Sequence, residues 1–163
     1  MKRIETLLRY KAWANEKLFE ALNKEPVEIV EARRKTVFGS IVRTLHHTFA
    51  MDDVWRCHLK GIGHGYATRM SDDCPDLQKL YKLQKDIDAW FIDYAAKLPI
   101  DMSSEKVSFQ FIGGGAGTMT RSEILFHIVN HGTYHRGHVA AMMYDAGLNP
   151  PTTDFPVYLR DTS

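Results

Sequence analysis

The chain has 163 residues, enough for one sizeable hydrophobic core and too few for two ordinary ones, so a single domain over residues 1–163 is expected. Hydrophobic residues at 44% and charged residues at 25% exclude extended disorder and collagen-like structure. The formal charge of +1, from 21 basic and 20 acidic residues, argues against nucleic acid as a partner, because phosphate binding needs a basic surplus or patch.

The opening Met1-Lys2-Arg3-Ile4-Glu5 has no apolar signal core, so no secretion signal is expected. Ile4, Leu7, Leu8, Ala14, Leu18, Phe19 and Leu22 recur at spacings of three and four. They predict a first helix from about Lys2 to Asn23, stopped by Pro26. The second helix starts at Ser40, an N-cap after Gly39, and runs to about Lys60, where Gly61 and Gly63 end it. The third starts near Pro75, taken as a first-turn proline, and ends before Pro99. Leu77, Leu80, Leu83, Ile87, Trp90, Phe91 and Tyr94 form its stripe.

The period then changes to two. Val107, Phe109 and Phe111 alternate with Ser108 and Gln110, and a glycine-rich turn leads to Thr118 and Met119, which predicts a short hairpin. The glycines are a turn needing positive φ rather than a phosphate loop, since no Gly-Lys-Ser/Thr follows them. Thr120 with Glu123 forms a capping box for the fourth helix, which runs to about Ala146. Gly147 fits the C′ position, and Pro150-Pro151 forbid continuation. The tail from Thr152 is expected to pack across the helices. The fold class that follows is all-α: a four-helix bundle with a short β-hairpin before the last helix. No apolar run approaches the roughly 20 residues of a membrane span, so no membrane partner is expected. Cys57 and Cys74 lack a CxxC partner and suit a reducing, cytoplasmic setting.

The chemistry sits in the histidines, of which there are eight. With Ile124 as the reference, Ile128, Val139 and Met142 fall within roughly 60° on the fourth helix and mark its buried face. His127, His131, His135 and His138 share that arc. An unpartnered buried polar group costs about 1–3 kcal/mol, so four of them against a stability of about 5–15 kcal/mol need partners. A metal ion supplies one. His131 and His135 lie one turn apart and can reach the same ion, and His127 with His131 has the same spacing, so spacing alone does not choose the pair. No Glu follows His131, which excludes the HExxH protease pattern.

A third ligand must come from elsewhere. On the second helix Ile41, Thr44, Thr48, Met51, Trp55 and Leu59 point inward. His47 lies about 40° from Met51, His46 points more nearly outward, and His58 is about 16 Å further along. His47 is therefore the best third ligand. Three histidines with open positions are the pattern of a catalytic site, where the ion activates a bound water or thiolate. Zinc, nickel, copper and iron all suit nitrogen ligands.

Other groups have two readings each. Asp52 orients a ligand histidine or makes an ordinary interhelical contact. Arg136 is a solvated helix charge or binds an acid. Tyr134, Trp13 and Trp55 are read as packing, His64 as a surface residue, and Cys57 as too far from the inward face to act as a nucleophile. No Ser-His-Asp arrangement is visible from spacing.

Several motifs are familiar together. Gly39-Ser40-Ile41, Thr44-Leu45-x-His47 and Asp52-x-x-Trp55 resemble the second-helix motif of the DinB (damage-inducible, YfiT-like) family. His127-x-x-Asn130-His131-Gly132-Thr133-Tyr134-His135-Arg136-Gly137 resembles its last-helix motif. Tyr10-x-Ala12-Trp13-Ala14-Asn15-x-x-Leu18 and the ending Pro150-Pro151-x-x-Asp154-Phe155-x-x-Tyr158-Leu159-Arg160 match as well. The resemblance implies one divalent metal ion, commonly zinc or nickel, held by His47, His131 and His135, often in a homodimer. His138 departs from it, standing where the family often carries Gln. The resemblance also implies a metal-dependent enzyme acting on small molecules, in the manner of the thiol S-transferases that use bacillithiol or mycothiol. The alternative is a non-catalytic metal- or ligand-binding stress-response protein. His127, His138, Asp52 and Arg136 are the expected second layer or pocket groups.

Overall fold

The structure, a computed structural model, describes residues 2–71 and 73–163; Met1 and Asp72 lie outside the described residues. Its elements in chain order are α1 (Lys2–Leu22), α2 (Val27–Glu31), α3 (Ile41–Lys60), α4 (Leu77–Lys97), a short 3-10 helix (Asp101–Ser104), β1 (Lys106–Gln110), β2 (Ala116–Thr120), α5 (Arg121–Asp145) and α6 (Phe155–Asp161). Four of them, α1, α3, α4 and α5, are the long helices that the periodicity predicts. The hairpin precedes α5, also as predicted. Among the described residues no helix is long and apolar enough to cross a membrane.

Local chemistry sets the helix ends. The Arg43 backbone N–H donates to Ser40 Oγ at the start of α3 (3.2 Å). Thr120 and Glu123 form the capping box of α5, with the Thr120 backbone N–H donating to Glu123 Oε2 at 2.7 Å. Gly147 at φ +76° closes α5, as its N–H bonds the Tyr144 carbonyl and that of Leu148 bonds Met143. The start of α4 differs from the expectation. Asp76, not the first turn with Pro75, caps it, because the Asp76 carboxylate accepts the Lys79 N–H at 2.8 Å. The short helices α2 and α6 carry too few residues for a period to show. The tail does pack on the bundle: Tyr158 is buried, Tyr10 meets the rings of Phe155 and Tyr158, and Tyr10 Oη donates to the Thr153 carbonyl (2.8 Å).

Helix α1 packs on α4 and α5, and α3 packs on the same two, so α1 and α3 face each other across a diagonal. The core has two main apolar parts. One gathers Ile4, Leu8, Trp55, Ile87, Phe91 and Ile124 with Val107 and Phe109 of the hairpin. The other gathers Leu18, Phe19, Leu22, Ile41, Leu80, Val139 and Met143. Strands β1 and β2 pair antiparallel, with Phe109 opposite Gly117. The Phe109 ring lies over that glycine, where a Cβ would come within 2.6 Å. Phe111, the last residue of the alternation, lies just beyond β1, which ends at Gln110, and is exposed.

Candidate metal centre

His47 comes from α3, and His131 and His135 come from successive turns of α5. Each offers one ring nitrogen, and the three nitrogens lie within 4.8 Å of one another. His131 Nε2 and His135 Nε2 face each other at 3.0 Å. Metal–nitrogen distances of 2.0–2.1 Å put two ligands at a right angle about 3.0 Å apart, so the observed spacing fits two neighbouring ligands of one ion. His47 Nδ1 lies 2.7 Å from the Arg69 carbonyl oxygen. A carbonyl only accepts, so Nδ1 carries the proton and Nε2 keeps its lone pair. Phe38 stacks on the same ring with centroids 4.4 Å apart, which fixes its plane. The donor set therefore suits a metal ion in number, atom type and spacing.

Electrostatics point the same way. Burial first, then the His135 and His47 rings, push His131 down to about 3. Burial and then His47 push His135 down to about 4. Burial lowers His47 too, against the bond to Arg69 that works to raise it. At neutral pH all three rings are uncharged and their lone pairs are free to coordinate.

A buried polar layer backs this site, and its central residue was not among those expected. Lys11 is fully buried on α1, with Nζ donating to Asp52 Oδ2 of α3 at 2.7 Å and to Asp88 Oδ1 of α4 at 2.5 Å. Gln84 Nε2 donates to both carboxylates (3.1 Å each), and Asn15 Nδ2 donates to Asp88 Oδ2 (2.8 Å). Arg136 joins from α5 through Asn15 Oδ1 at 3.3 Å. Burial alone would lower Lys11, but the two carboxylates outweigh it and hold the ammonium above its ordinary value. The layer balances two cations against two anions. The signal was present in the sequence: Lys11 shares the spacing of Leu7, Leu8, Ala14 and Leu18 and so sits on the inward stripe. Gly132, next to His131, makes room for it, since a Cβ there would lie 3.1 Å from Lys11 Cε.

The remaining expected residues separate. Asp52 touches no histidine; it binds Lys11 and Gln84, and its Oδ1 is buried with no partner among the described residues. Its direction follows from α3, where residue 52 points to the bundle axis while His47 points to the cavity. Arg136 is neither solvated nor open to an acid, because it is buried, bonds Asn15 and Thr133, and lies over the Tyr10 ring. His127 does line the histidine cavity, with its ring 5.6 Å from that of His131. His138 does not; it lines a second cavity with Thr36, Phe38 and Met142. His46, expected outward, is buried because Tyr66–Ser71 fold back over that face of α3. His64 is half-buried against His58 and Tyr66 rather than at the surface. Tyr134 is exposed, not packed, and stands edge-to-face with His135 and His138. Trp55 is buried and Trp13 half-buried. Sequence reasoning missed the Arg69 carbonyl, a backbone group that no side-chain pattern announces.

The three histidines open onto a cavity of about 680 Å³. Its walls are Phe38, Met51, Val54 and Trp55 with Phe109, Phe111 and Ile112 of the hairpin. Such a volume and apolar lining suit a small molecule.

Comparison with known proteins adds the following. A family model described as DinB family matches residues 1–162. The protein named Protein DinB from Bacillus subtilis (strain 168) is 28% identical over 158 residues, covering 94% of this chain and 91% of that protein. The crystal structure of a DinB-like protein from Bacillus cereus ATCC 10987 superposes with a TM-score of 0.68 at 17% identity, covering 90% of this chain and 94% of that one.

Proposed function

The chain belongs to the DinB family, and on that premise we propose that it is a metal-dependent enzyme for small molecules, with one divalent ion, zinc or nickel, held by His47, His131 and His135. The observation that carries this reading is the 3.0 Å approach of two uncharged imidazole nitrogens, His131 Nε2 and His135 Nε2, beside a third from His47. When bound, such an ion supplies Lewis acidity that favours the deprotonated form of a thiol or water.

The chain's own residues do the rest. The Arg69 carbonyl and the Phe38 ring hold His47 in one tautomer and plane. Met51, Val54 and Trp55 exclude water from the cavity wall. His127, kept below its ordinary pKa by burial, is in its base form and lines the same cavity. It accepts the thiol proton while the sulfur bonds to an electrophilic carbon and the leaving group departs with the bonding electrons.

A second reading, a metal or ligand binder without turnover, draws on the cavity lining, which contains no carboxylate among the described residues. Pairing of two copies, the absence of nucleic acid and a cytoplasmic setting belong to the same proposal. The even charge balance and the two free cysteines, Cys57 and Cys74, support the last two.

Elemental mass spectrometry on protein made without a histidine tag tests the site, beside His131→Ala/His135→Ala. One equivalent of metal in the parent and none in the variant is the expected result. A parent that takes up neither zinc nor nickel overturns the proposal. Metal-dependent consumption of a thiol together with an electrophile then separates enzyme from binder.

A further inference from the structure

Three of the exposed large apolar side chains line one cavity. Val37 (78% exposed), Met70 (46%) and Phe111 (53%) come from separate segments, and all three line the histidine cavity. Single exposed apolar residues need no explanation, but three around one opening form a rim that an apolar molecule would cover. Inside the rim, aromatic rings continue to the histidines. Phe111 meets Phe109 at 5.1 Å between centroids, Phe109 meets Trp55 at 4.8 Å, and Trp55 meets His127 at 5.0 Å. These contacts are edge-to-face, and Phe111, Phe109, Trp55 and His127 all line the cavity.

The charge of the lining is one-sided. Among the described residues no Asp, Glu or Lys lines the cavity, and Arg69 is its one fully charged side chain. A cation would enter without a counter-charge, at the desolvation cost that burying an unpaired charge carries. An anion would meet Arg69 and, under the reading above, the ion on the three histidines.

We propose that this cavity takes a flat aromatic molecule bearing a single anionic group, with the rings against Phe109 and Phe111 and the anionic group at His47, His131 and His135. The anionic half rests on the metal reading; the aromatic half does not.

The test is calorimetric titration of metal-free and zinc-loaded protein with 2-naphthoate, 2-naphthalenemethanol, 2-naphthylmethylammonium and hexanoate. Zinc-loaded protein should bind 2-naphthoate at least about tenfold more tightly than hexanoate and than the ammonium compound. Metal-free protein should still bind 2-naphthalenemethanol. Phe111→Ala changes an exposed residue at a hairpin tip, so the fold is kept. It should weaken both naphthalene ligands by about five- to tenfold and leave hexanoate nearly unchanged. Equal affinities for 2-naphthoate and hexanoate overturn the proposal, as does preference for the ammonium compound. Absence of naphthalene binding while Phe111→Ala alters the sedimentation coefficient also overturns it, since a second copy would then cover the rim. A protein that binds zinc but no naphthalene defeats this inference and leaves the metal reading standing. One that binds 2-naphthalenemethanol but no zinc defeats the metal reading and the anionic half with it, and leaves the aromatic half standing.

Discussion

Lys11 Nζ and Asp52 Oδ2 meet at 2.7 Å across the diagonal of the bundle, where both side chains are almost wholly out of water. Their helices, α1 and α3, are otherwise joined through α4 and α5. The pair is therefore a cross-brace, and its partners Asp88 and Gln84 bring in α4. Removing one member of a buried ion pair leaves an unpaired charge and costs about 3–5 kcal/mol. Lys11→Met should lower stability by that amount in denaturant titration. Adding Asp52→Asn should recover part of the loss, because the orphaned carboxylate goes with it. Losses that simply add in the double variant would show that the two side chains are not coupled.

Gly132 offers a case in which helix propensity and packing oppose each other. In a helix interior Ala is favoured over Gly by about 1 kcal/mol. Here a Cβ would stand 3.1 Å from Lys11 Cε and 3.3 Å from an Arg136 guanidinium nitrogen. Two carboxylates pin Lys11, so it has little room to retreat. Gly132→Ala should therefore destabilise, by about 1–3 kcal/mol. A rise in melting temperature would mean that the polar layer yields more readily than its bonding suggests.

Acid should unfold the metal-free protein through its histidines. Their folded values are depressed, to about 3 for His131 and about 4 for His135, below an ordinary histidine at 6.5. Between those limits the unfolded chain binds more protons than the folded one, so stability rises with pH. It is complete above about 6.5 and declines as pH falls toward 4, by up to about 1.4 kcal/mol per pH unit for each ring and less where water reaches it. Melting temperatures taken from pH 7 to 4 should fall in the parent and fall less steeply in His131→Phe/His135→Phe. Parallel curves would place the acid sensitivity elsewhere.

His135 and His138 provide an internal comparison, being three residues apart with ring centroids 5.5 Å from each other. His135 faces His131 and His47, whereas His138 lines the other cavity. His135→Ala should reduce zinc stoichiometry from one to none, and His138→Ala should leave it at one. Loss of metal in both would move the site toward His138.

How much of this was legible in the sequence depended on the range of each interaction. The Thr120–Glu123 box and the Gly147 stop use neighbours in the chain, and both stand as read. His47 and the histidines of the last helix were legible as polar residues on apolar arcs, but spacing left His127 and His135 as equal partners for His131, and the family resemblance made that choice. Of the two readings for Asp52 the interhelical contact is the one that holds, and spacing could not choose it because its partners, Lys11 and Gln84, lie on two other helices whose rotation no local pattern fixes. The alternating run included Phe111, one residue past the strand, because alternation cannot show where a strand stops. The Arg69 carbonyl left no trace, since every residue has one.

The bond from His47 to that carbonyl reaches into the segment between α3 and α4, so an ion held as proposed would be thermodynamically linked to the closure of this segment. On that reading, stripping the ion should loosen the hold of His47 on residues 62–71. Protease nicking in that stretch then becomes a remote gauge of metal loading, readable on a gel without any knowledge of the substrate.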